Sequence, residues 1–132
     1  MMKLAPQERR NRLGVRHHLL RPALSLRSMV EGLIGLHSSD PETPFLASWA
    51  RLRQFEIADL EAALYERREL VRILGMRRTM FVVPVGLAAT VHAACSRALA
   101  IGERTRLLGM IEQHGIGDSR WLDDVEKKTL AA

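Results

Sequence analysis

The chain has 132 residues, 47% hydrophobic and 27% charged, which is one domain or one domain plus the start of another, with apolar content enough for a core and too high for compositional disorder. Aromatic residues make up only 5%, which argues against a large β-sandwich and against a stacking platform for single-stranded nucleic acid. The formal net charge is +5, and all basic residues but Lys3, Lys127 and Lys128 are arginines, whose forks bind carboxylate and phosphate bidentately; an acidic partner is expected, nucleic acid first.

In chain order, Pro6 stands near the start of a helical stretch that runs to about Leu20, where its fixed φ is tolerated. Leu13, Arg16, His17 and Leu20 fall on one face of it, and Pro22 ends it. Ser28 and Glu31 have the S-x-x-E spacing of a capping box, opening a second helix with Met29, Val30, Leu33 and Ile34 as its stripe. Residues 36–41, LHSSDP, read as a polar turn. Thr43 and Pro44 then read as N-cap and first helical position of a helix reaching Arg53, with Phe45, Trp49 and Leu52 inward and Trp49 as its core anchor. A further helix spans Ile57 to Glu66, with Ile57, Leu60 and Leu64 inward.

From Leu70 to Val83 the period changes. LVRIL and TMFVV, joined by residues 75–78, predict a β-hairpin, and the alternation of Val71 and Ile73 with Arg72 predicts one solvated face. After Pro84 the helical pattern returns. The weakly polar stretch VGLAATVHAACSRALA should be largely buried, with Cys95 in the core, and a helix from Glu103 to Gln113 stops at Gly115. Ser119 opens a last helix with Trp121, Leu122, Val125 and Leu130 as an apolar set; it has no C-terminal cap and reads as cut mid-element, so the chain is expected to be truncated.

The fold class expected is therefore mainly α (α+β): a winged helix-turn-helix unit over residues 1–84, then a helical extension over 85–132 that begins a second unit. Thr43 to Arg53 would be its recognition helix and the hairpin its wing. Arg51 and Arg53 by the helix, and Arg72, Arg77 and Arg78 on the wing, are the expected phosphate contacts to double-stranded DNA.

Other chemistry finds little support. Cys95 is the only cysteine, so neither an intramolecular disulfide nor a Cys-cluster zinc site is open to the chain. Adjacent His17 and His18 do not face one another on a helix, and no metal or other cofactor is expected. The N-terminal stretch is charged from Glu8 on and lacks a signal-peptide core, and no apolar run approaches the roughly 20 residues of a membrane span, so a cytoplasmic protein without a membrane partner is expected.

Three stretches carry a resemblance: ERRNRLGVRHHLL (8–20), GLIGLHSSDPETPFLASWARL (32–52) and LEAALYERRELVRILGMRRTMFVVP (60–84). Together they resemble the N-terminal part of the winged helix DNA-binding domain-containing proteins, the superfamily of the AlkZ-like and YcaQ-like bacterial DNA glycosylases. RRTMFVVP is similar to that family's R-x-T-hydrophobic wing strand. The resemblance implies DNA repair by release of alkylated or crosslinked bases, in a channel built of stacked winged-helix units. It also implies a Gln-x-Gln or Gln-x-Asp triplet just before an Asp-Pro-like turn.

Here the aligned triplet is His37-Ser38-Ser39, followed by Asp40-Pro41, and neither glutamine is present. His37 is the candidate for positioning water or acting as base, and Asp40 is the nearby carboxylate, one residue off the triplet's second position. The expectation is a DNA-binding protein with little or no base excision. An active glycosylase using His37 and Asp40 is one alternative, and a non-enzymatic module whose arginines meet an acidic protein is the other.

Overall fold

In a computed structural model, which describes residues 5–131, helices dominate and three short strands form one antiparallel sheet. This is the mainly α, α+β class read from the sequence. The described residues divide into two units, one running to Ser96 and one starting at Arg97.

The first unit opens with α1 (Pro6–Arg16), which has Pro6 at its start and no buried residue. It stops four residues before the Leu20 expected. His18 takes φ 58°, and the amides of His18 and Leu19 return to the carbonyls of Val15 and Gly14, a Schellman closure without a glycine. α2 (Leu26–Leu33) is capped by Ser25, whose hydroxyl accepts from the Ser28 amide at 3.2 Å. The cap therefore lies three residues before the Ser28 inferred from the S-x-x-E spacing. Ser28 is already helical, and Glu31 pairs with Arg27 instead of reaching back. Met29 and Val30 are fully buried, while Ile34 leaves the stripe at φ 72° and is exposed.

Leu36–His37, read as part of a turn, forms β1; the polar turn starts at Ser38. Next come α3 (Thr43–Trp49) and α4 (Ile57–Glu61), which runs on through a wider turn, Ala62–Glu66. The hairpin appears where the period changes, as β2 (Leu70–Leu74) and β3 (Met80–Pro84). β3 is the middle strand: Leu36 and Arg72 both pair with Val82, and His37 and Ile73 both pair with Phe81. The solvated face does not alternate as expected. Leu70, Val82 and Val83 are buried, whereas Val71 and Ile73 are only half-buried. The core joins Met29, Val30, Leu36, Leu60, Ala63, Leu70 and Val82, with Phe45, Leu52 and Leu64 packed against it.

Two helix faces differ from expectation. α3 turns Pro44 and Ser48 inward, and Trp49 is 71% exposed rather than the core anchor. The helix ends at Trp49, so Leu52 reaches the core from the following loop, not from the Trp49 face. Ile57 is likewise exposed, while Leu60 is fully buried as read. α5 (Val85–Val91) has no buried residue, and of the wide turn His92–Ser96 only Ser96 is buried, its hydroxyl donating to the Leu74 carbonyl. The apolar stretch after Pro84 is thus largely exposed, and Cys95 is half-buried. Apolarity there comes from alanines, which cost little to leave in water. By length and composition alone, the helical residues Val85–Gln113 are enough to cross a membrane, which corrects the reading that no stretch approaches that length.

The second unit is α6 (Arg97–Gln113), a reversal at Gly115 with φ 64°, and α7 (Ser119–Ala131). Asp118 caps α7 by accepting from the Trp121 amide at 2.9 Å. Ile111 and Leu122 are buried, and Arg104 of α6 bridges Asp123 (2.5 Å) and Glu126 (3.3 Å) of α7. Trp121 is partly exposed and Leu130 almost wholly so.

Candidate nucleic-acid interface

β1 fixes His37. Its backbone pairs with Phe81, and the two rings meet edge to face at 5.9 Å between centroids and 79° between planes. The strand is continued by its neighbours: the Ser38 amide donates to the Met80 carbonyl at 2.8 Å, and the Met80 amide donates to Ser39 Oγ at 3.3 Å. The Ser38 carbonyl takes a third bond, from Arg72 Nη2 at 2.8 Å. Ser39 is thereby committed to the backbone of β3. The Ser38 hydroxyl is buried and without a partner among the described residues.

Asp40 turns toward its own chain. Its carboxylate accepts from the Glu42 amide at 2.9 Å and its carbonyl from the Thr43 amide at 3.3 Å, which sets the entry to α3. α3 then delivers Arg51 just past its end. Arg51 Nη1 donates to the Ala47 carbonyl at 3.0 Å, and Arg51 Nε is buried with no acceptor among the described residues. The backbone here is tied down by Ala23, which donates to the Arg51 carbonyl (2.8 Å) and accepts from the Arg53 amide (3.1 Å). The Arg53 side chain is exposed.

The structure brings two of the expected site residues together. His37 and Arg51 line one open groove of about 490 Å³, whose lining also includes His17, Thr43, Leu36, Leu46 and Ala47. His17 was set aside in the sequence as half of an unsuitable metal pair. Only the fold, by closing α1 with a left-handed His18, carries it to this groove. Asp40 is not among the groove residues.

The hairpin arginines are separate. Gly75 and Thr79 close the loop between β2 and β3 through the bond from the Gly75 amide to the Thr79 carbonyl, and Arg77 and Arg78 stand at its tip, both exposed and both left-handed at φ 56° and 60°. Left-handed backbone is uncommon outside glycine, asparagine and aspartate, so the loop holds two arginines outward against a local cost. Arg72 is exposed as well, yet one of its N–H groups is engaged with Ser38. Among the described residues no three His, Cys, Asp or Glu side chains are grouped so as to hold a metal ion.

The model of the family described as DNA glycosylase AlkZ-like matches residues 30–132. The chain belongs to the AlkZ-like DNA glycosylase family. The match takes in β1, α3, α4 and the hairpin, and it places this AlkZ-like chain among DNA-repair proteins that act on DNA. α1 and His17, just past its end, precede the matched residues. No curated protein and no solved structure matches the chain.

Proposed function

We propose that this AlkZ-like chain is a cytoplasmic winged helix-turn-helix protein that binds double-stranded DNA through its backbone phosphates and excises bases poorly or not at all. The observation that carries the reading is the element order α2–β1–α3–α4–β2–β3 with β3 between β1 and β2, ending in a hairpin that presents Arg77 and Arg78 to solvent. That order puts α4, rather than Thr43 to Arg53, in the slot directly before the wing. Yet the exposed residues of α4 and its continuation include Asp59, Glu61 and Glu66, which repel phosphate. Charge therefore favours docking through the end of α3 and the wing, with Arg51, Arg53, Arg72, Arg77 and Arg78 as the contacts.

Poor excision follows from the chemistry around His37. An oxocarbenium-like sugar needs an aligned amide or carboxylate across the attacking water. Ser39 offers a neutral hydroxyl already bonded to Met80, and the Asp40 carboxylate is engaged with the Glu42 amide. Loss of one such electrostatic contact costs about 10²–10³ in rate.

Two measurements test the proposal together. Duplex binding titrated in rising salt should give log K falling with log salt at a slope of about −3.6, for about four neutralised phosphates. A flat slope, or no binding at low salt, turns the arginines over to an acidic protein partner. Methylated duplex incubated with the chain should release no 7-methylguanine; robust release that His37→Ala abolishes establishes an active glycosylase instead.

A further inference from the structure

We propose that the groove bounded by His17, His37, Thr43 and Arg51 is a phosphate-binding site. The DNA-binding reading enters only as the source of the phosphate, a diester of the nucleic-acid backbone.

Three observations carry it. The first is charge. Among the described residues, the ionisable groups lining the groove are two histidines and an arginine, with no carboxylate. The larger groove of the same unit, about 940 Å³, is different: its arginines are matched by acids, Arg27 with Glu31 at 2.9 Å and Arg67 with Glu69 at 3.4 Å. The second is an unmet donor. Arg51 spends Nη1 on Ala47, and its Nε lies buried without an acceptor among the described residues. A guanidinium has five donors in a fixed fork, and a buried donor of a charged group left unpaired is unfavourable until an acceptor arrives. A phosphate supplies two oxygens in the spacing of that fork.

The third is the rigidity of the frame. The Arg51 backbone is stitched to Ala23, His37 is held by the Phe81 backbone and ring, and Thr43 sits at the start of α3 with its amide on the Asp40 carbonyl. Imidazole N–H groups and a threonine hydroxyl add donors around the fork, and the buried Leu36 forms part of the lining beside them. His37 would thus act by holding the nucleic acid. His17, the C-cap residue just past α1, lies outside the residues the family model matches, so part of the groove's lining comes from a segment beyond that match.

The test is NMR of the full chain, following arginine Nε–Hε and histidine ring resonances during titration with inorganic phosphate, with dimethyl phosphate, and with a short duplex. The expected result is saturable shifts at Arg51, His17 and His37 with each probe, none at Arg27, and loss of saturation in Arg51→Gln. Arg51→Gln should also weaken duplex binding about tenfold. Saturation by inorganic phosphate with the duplex leaving these resonances unmoved keeps the site and assigns it to free phosphate. Shifts that are absent, that appear equally at Arg27, or that persist in Arg51→Gln overturn the site. Should Arg51→Gln fail to fold, the His17→Asn/His37→Asn double variant decides: undiminished saturable binding overturns the proposal. A duplex that binds with a steep salt slope while the groove stays silent to all three probes sinks this inference and leaves the wider DNA-binding reading standing.

Discussion

Arg72 Nη2 donates to the main-chain carbonyl of Ser38 at 2.8 Å, joining β2 to the end of β1 across the intervening middle strand. A hydrogen bond from a charged donor contributes about 1.5–3 kcal/mol, reduced where the donor is solvated. Arg72→Ala should therefore lower stability by about 1–2 kcal/mol in urea unfolding, with Arg72→Lys recovering part of the loss. An unchanged midpoint in Arg72→Ala would show that the bond contributes nothing.

Ser38 itself makes the opposite prediction. Its hydroxyl is buried without a partner among the described residues, so Ser38→Ala removes a desolvated polar group and keeps every backbone bond. Stability should stay level or rise by about 0.5–1 kcal/mol. A loss greater than that in thermal unfolding would assign the hydroxyl a partner of its own.

Ile34, a β-branched residue, sits at φ 72° and ψ −33° and is exposed. Its side chain is disfavoured there and buries little. Ile34→Gly should raise stability by about 1 kcal/mol, read as a higher melting temperature. The neighbouring Gly35 behaves in reverse. A Cβ there would lie 2.9 Å from Val83 Cγ1 and 3.1 Å from the Val82 carbonyl oxygen, so Gly35→Ala should destabilise by about 1–3 kcal/mol.

At the hairpin tip, stability and binding should separate. Arg77→Gly relieves a left-handed arginine, so the melting temperature should hold or rise. If Arg77 neutralises one phosphate, the salt slope of duplex binding should flatten by about 0.9. Lower stability with an unchanged slope would make Arg77 a structural residue of the loop.

The hairpin and the helix Ile57 to Glu66 were legible because both carry a period: a change of alternation at Leu70, and Ile57, Leu60 and Leu64 at helical spacing, of which Leu60 and Leu64 reach the core and Ile57 does not. The face of α3 was not. Its buried side is made by Pro44 and Ser48, and Ser48 is fully buried because its hydroxyl bonds back to the Pro44 carbonyl at 2.8 Å. A small satisfied serine inside and a tryptophan outside invert the pattern that hydrophobicity alone suggests. Ser28 misled in the same local way, since Ser25, three residues earlier, is also a good cap. Of the candidate site, the arginines were visible by composition and His37 by its place in the aligned triplet. That His17 lines the same groove as Arg51 was not, because it depends on how the chain reverses after α1.

That reversal also sets how firmly one wall of the groove is held. α1 has no buried residue, and the imidazole of His18 rests so close over Gly32 that a Cβ there would lie 2.8 Å from its Nε2. A helix attached by so little surface opens locally at a free energy far below that of global unfolding. A ligand that fills the groove against His17 and binds only the closed form would link occupancy to closure: it should slow amide exchange along α1, and Gly32→Ala, which crowds His18, should weaken it.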